Sequence, residues 1–135
     1  MRRVVLLLPL VVACTSLGTE ARLPAATHLD QPLPAAIMDS LWAMDQQCSG
    51  ITTPDSWHRI TWLSVAADSF RYAPGEWAYG FWVAQHNVYL ANMLADTRFP
   101  IPDDSMRFRL VIRHEMLHDL TQSGVHGIAF DTCEL

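Results

Sequence analysis

The chain has 135 residues, half of them apolar, with five tryptophans, three cysteines and a formal charge of −5 at pH 7. That length sets an upper limit of one compact domain, and the apolar share and the tryptophans suffice to build a real core. The acidic balance argues against phosphate neutralisation, so no nucleic-acid partner is expected.

The first residues stand apart from any fold. MRR is a charged start, and VVLLLPLVVA is an apolar run too short to span a bilayer, built like the apolar region of an export signal. Cys14 follows in VVAC, which resembles the lipobox of bacterial lipoproteins, with Val in the position where Leu is commoner. The resemblance implies a signal peptide over 1–13, a lipid on Cys14, and attachment of the exported chain to the membrane of the cell envelope. Thr15 after the cysteine resembles lipoproteins sorted to an outer membrane, and the periplasmic face remains the other placement. An ordinary secretory signal with an incidental cysteine is the alternative. Loss of Arg2 and Arg3 takes the charge from −5 to −7. Export leaves Cys48 and Cys133 in an oxidising compartment, where an even pair normally closes. Such a bridge would tie the first helix to the C-terminal tail and, over so long a loop, add about 4 kcal/mol. Two buried free thiols are the alternative.

Residues 14–33 carry prolines, threonines and no sustained periodicity. They read as a tether with His28 in solvent, leaving 34–135 as the folded domain. Over 34–48 the spacing predicts a helix: Pro34 suits its first turn, and Ile37, Leu41, Met44 and Cys48 recur at helical intervals beside Met38 and Trp42. The Ser49–Gly50 pair stops it. Residues 57–66, WHRITWLSVA, read as a strand, YAPGEWAYG as loop and turn, and FWVAQHNVYLA, 81–91, as a second strand. RFPIPDD is a break. From Ser105 to about Ser123 a long helix follows, capped by Asp103, Asp104 or Ser105 and stopped at Gly124. The expected fold class is therefore α+β: a helix packed on a short mixed or antiparallel sheet, with an N-terminal helix beside it.

The long helix carries the chemistry, in RHEMLHDLTQSGVHG, residues 113–127. At 100° per residue, His114 and His118 lie about 40° apart and one turn along the axis, so two imidazoles can meet one ion. Glu115 lies about 60° beyond His118, placed to reach a water rather than the metal. After Gly124 the chain can turn and bring His126 back as a third ligand, with a fourth position left open, as catalytic zinc requires. The helical wheel puts Met106, Leu110 and Leu117 on one flank of this face, Phe108 and Ile112 on the other, and Arg109 and Arg113 toward solvent.

H-E-x-x-H with a downstream ligand resembles the zincin metallopeptidases. The likeness covers residues 105–126, and the local sequence also looks like small bacterial lipoproteins that carry a zincin signature. It implies one zinc ion on His114 and His118, Glu115 as general base, a peptide or protein substrate, and an edge strand, here sought in 81–91, on which the substrate pairs. Among subgroups the chain is metzincin-like with a displaced third histidine, and no methionine turn follows. Asp131, by analogy with aspzincins, and Glu134, by analogy with gluzincins, rank behind His126 as third ligand. His86, Tyr89 and Tyr79 are the candidates for stabilising the transition state, and His58 reads as a strand-surface residue. The alternative is a non-catalytic envelope lipoprotein in which zinc stabilises a binding module.

Overall fold

A computed structural model describes residues 23–91 and 102–135, the side chains of 102–105 excepted. The signal segment and Cys14 lie outside that description, as do the side chains of the candidate caps Asp103, Asp104 and Ser105, whose backbone is already helical. Pro34 caps the first helix, α1 (Ala35–Ser49), from just outside it: its carbonyl accepts from the amides of Ile37 and Met38 at 2.9 and 3.1 Å. At the other end Gly50 takes the left-handed conformation, φ 70°, and its amide bonds back to Gln46. The buried face of α1 is Met38, Leu41, Trp42 and Asp45, and Met44 faces solvent. The apolar stripe expected from the sequence is therefore turned by one residue, and an acid sits inside it.

Six strands follow the same logic with several corrections. Within the expected tether, β1 (Ala26–Leu29) pairs antiparallel with β2 (Thr61–Val65), so the fold starts earlier than residue 34. Trp57–Arg59 form a 3-10 turn rather than the start of that second strand. The expected loop after it is a hairpin, β3 (Phe70–Ala73) and β4 (Glu76–Ala78), turning at Gly75 with φ 81°. The single strand expected over 81–91 is a second hairpin, β5 (Gly80–Val83) and β6 (Asn87–Ala91). Its turn places Gln85 and His86 at φ 69° and 67° with no glycine or asparagine to announce it.

The main sheet runs β1-β2-β6-β5, with β2 and β6 parallel and the outer pairs antiparallel. The fold class is α+β, as expected. One face of the sheet presents Trp62, Val88, Leu90 and Trp82 to the helices. Away from that core, Val65, Phe70 and Ala91 form a smaller cluster with Phe81 and Tyr89 against it. The long helix, α2 (Pro102–Thr121), changes character along its length. Met106, Arg107, Arg109 and Leu110 are exposed, whereas every residue from Glu115 to Leu120 is buried. So only Phe108, Ile112 and Leu117 of the five expected apolar flankers are buried.

A third helix, α3 (Ile128–Cys133), occupies what the sequence suggested was a tail. The Cys48–Cys133 disulfide, Cα atoms 5.1 Å apart, joins it to α1 as expected. Arg113 does not face solvent: its Nε donates to the buried Asp45 at 2.7 Å, and a terminal nitrogen donates to the Cys133 carbonyl at 3.2 Å. One guanidinium thus ties all three helices beside the disulfide. No helix among the described residues is long and apolar enough to cross a membrane.

Candidate metal centre

His114 and His118 share one face of α2, as the four-residue spacing requires, and their Nε2 atoms stand 3.2 Å apart. The helix ends sooner than expected. Gln122, not Gly124, takes the left-handed conformation, φ 51°, and its side-chain amide bonds the Asp119 carbonyl in place of a capping glycine. The chain then folds back through a serine turn in which Ser123 Oγ accepts from the Val125 amide at 3.1 Å. That reversal brings His126 Nε2 to 3.0 Å from His114 Nε2.

Three imidazole nitrogens now lie within 4.8 Å of one another. One N–H cannot serve both contacts of His114, and facing lone pairs repel, so the cluster has the donor set that a cation at its centre would balance. Nitrogens on a tetrahedral zinc stand about 3.3 Å apart, given bonds of about 2.0–2.1 Å. The two spacings found, 3.0 and 3.2 Å, fit that geometry after a small expansion.

The protonation states fit as well. His118 Nδ1 lies 2.6 Å from the Ser123 carbonyl, so that nitrogen carries the proton and Nε2 presents its lone pair to the cluster. Burial, and then the neighbouring His118 and His126, hold the His114 pKa down at about 4. Burial also lowers the His118 pKa, opposed by its bond to Ser123. Neutral imidazole is the ligand form. Phe130, carried by α3, floors the cluster, its ring centroid 5.1, 4.5 and 4.6 Å from those of His114, His118 and His126.

Glu115 turns away from the three nitrogens toward β5. It is 4 % exposed, it accepts a hydrogen bond from the Trp82 amide, and its Oε2 has no partner among the described residues. Burial outweighs that amide bond and pushes its pKa up to about 8. Gly80 makes this approach possible, since a Cβ there would sit 2.8 Å from Glu115 Oε1 and 2.7 Å from Val111 Cγ1. Two clefts meet at His114, Glu115 and Gly80. One, about 600 Å³, runs past Tyr72, Trp77, Phe81 and His126. The other, about 390 Å³, is walled by Tyr79, Leu110, Val111 and Leu135, with Arg107 and Glu134 also lining it.

The remaining sequence candidates separate. Tyr79 lines the smaller cleft. Tyr89 packs with the Val65, Phe70 and Ala91 cluster and lines neither cleft. His86 bonds Asp119 at 2.7 Å instead of facing the histidines. His58 is exposed and bonds Ser56, and Asp131 is exposed on α3, outside the histidine cluster. Glu134 reaches the rim without joining the three nitrogens.

Sequence reasoning missed Gly80, Phe130, Trp82 and Asp119. The lone glycine beside a strand run was a signal of close backbone approach. Asp119 gave none, because its role depends on partners 33 to 60 residues away, and Phe130 gave none, because a lone phenylalanine in a short tail announces no packing partner. No known protein family, curated protein or solved structure matches the chain.

Proposed function

We propose that this chain is a zinc-dependent metallopeptidase, anchored in the bacterial cell envelope by a lipid on Cys14. The observation that carries the reading is the convergence of three imidazoles from His114, His118 and His126 beside the buried Glu115 carboxyl, one oxygen of which has no partner among the described residues. The donor set, the spacing and the protonation states suit zinc with one open position. Zinc held there supplies a Lewis acid that activates water at neutral pH and polarises a peptide carbonyl.

The chain's own residues do the rest. A cation held by the three histidines would favour the ionised form of Glu115, which burial alone opposes, and that carboxylate takes the proton of the attacking water and delivers it to the leaving nitrogen. The Trp82 amide holds Glu115 in place, and Gly80 lets it lie against β5. β5 is the outermost strand of its sheet among the described residues, and its outer edge, where the Trp82 amide already serves Glu115, is the side a peptide in the cleft would meet. Tyr79, at the lip of the smaller cleft, is the hydroxyl best placed to meet a developing oxyanion. The lipobox-like VVAC supports the anchor, which Cys14→Ser tests by release of the protein from the membrane fraction.

The near-complete burial of Glu115 favours a second reading, in which zinc only stabilises a binding module. Glu115→Gln separates the two. The peptidase reading expects the variant to keep its zinc and lose hydrolysis of denatured casein. Zinc-loaded wild type that cleaves neither casein nor a broad peptide library establishes the second.

A further inference from the structure

Asp119 directly follows the ligand His118, yet its side chain points away from the histidine cluster into the protein. It is fully buried. Arg59 Nε donates to Oδ2 at 2.7 Å, while Trp82 Nε1 at 3.1 Å and His86 Nδ1 at 2.7 Å donate to Oδ1. Its backbone carbonyl accepts from the other arm of Arg59 at 2.9 Å and from Gln122. Four side chains from three separate segments, Arg59, Trp82, His86 and Gln122, converge on this one residue.

The backbone bends to allow it. Four non-glycine residues among those described have positive φ, and two of them, His86 and Gln122, bond Asp119, with Gln85 in the same turn as His86. Conformations of that kind persist where the surroundings over-determine them. Each brings a side chain or a turn to Asp119.

Trp82 makes the network bear on the chemistry. Its indole N–H is held by Asp119, its ring lies nearly parallel to that of His118 with centroids 6.3 Å apart, and its amide holds Glu115. Resting on the metallopeptidase reading above, we propose that Asp119 is the positioning residue of the centre, acting through Trp82 to align the ligand His118 and the base Glu115 together. Asp119 touches neither metal nor substrate; it fixes Trp82, which lies against both His118 and Glu115.

The test is Trp82→Phe, which keeps an aromatic ring and deletes the N–H, with Asp119→Asn as companion. Cobalt(II) replaces zinc as the probe, because its d–d bands follow coordination geometry. Both variants are expected to bind one cobalt with an altered d–d envelope. In the zinc form, kcat for casein is expected to fall about 10–100-fold, the scale of a misplacement near 1 Å, with KM within about twofold. If Asp119→Asn does not fold, Trp82→Phe decides alone. A Trp82→Phe protein with lower Tm but unchanged cobalt spectrum and kcat overturns the inference and leaves the metal centre standing. A wild-type protein that takes up no cobalt overturns the centre, and the inference with it.

Discussion

At Glu115 burial and function pull on one group. Burial pushes its carboxyl up to about 8, from an ordinary value of 4.5. The folded state therefore holds a proton that the unfolded chain releases between those values. The resulting stability is complete below pH 4.5 and is lost as pH rises through 8. Glu115→Gln cannot ionise, so in chelator-treated protein it is expected to raise Tm at pH 8 more than at pH 4.5, by about 4–8 °C for each kcal/mol recovered. Equal shifts at both pH values would show that the carboxyl is not desolvated as described. Gly80 allows a second test: Gly80→Ala drives a methyl into Glu115 and Val111. It is expected to cost about 1–3 kcal/mol in urea unfolding and to lower hydrolysis while zinc is retained. The ligand set is tested by His126→Ala, expected to weaken zinc by more than about 100-fold, the upper end of what losing an outer partner costs. Asp131→Ala is expected to leave zinc affinity unchanged, as its place outside the cluster requires.

Among the elements, the joint between the three helices has the largest expected effect on stability. Arg113 reaches Asp45 on α1 and Cys133 on α3, and burial pushes Asp45 up to about 6 despite that guanidinium. Removing Arg113 leaves a buried carboxylate alone, so Arg113→Ala is expected to cost about 3–5 kcal/mol by chemical denaturation. Arg109→Ala, one turn earlier and exposed, should stay within about 0.5 kcal/mol. The sequence could not separate these two arginines. Both lie on the face opposite the histidines, and only the return of α1 and α3 decides which meets a carboxylate. Elements with their own local signals were legible: α1 from its Pro34 and Gly50 boundaries, α2 from its length, the disulfide from cysteine parity. The hairpins were not. Gln85–His86 is a left-handed turn without glycine, stabilised by a bond to Asp119 that is 33 residues away. The short α3 is held by Phe130 in the core and by the disulfide, neither of which leaves a helical period in six residues.

In the whole molecule, the histidine spacing that marked the site in sequence survives folding, and the fold adds what spacing could not. Ser123 reverses the chain and fixes a tautomer, Phe130 floors the cluster, and β5 lays its outer edge, with the Trp82 amide, against Glu115. An ion bound only by the folded state stabilises it, by about 2.7 kcal/mol at a free concentration 100 times Kd. Zinc should therefore raise the Tm of the wild type and leave that of His126→Ala nearly unmoved. The most direct test is metal analysis of the domain purified under zinc-replete conditions and then dialysed. The account predicts one zinc per chain in the wild type and in Glu115→Gln, and a loss of most of it in His126→Ala. A folded wild-type protein that emerges free of metal, or a His126→Ala variant that holds zinc as tightly as its parent, would contradict it.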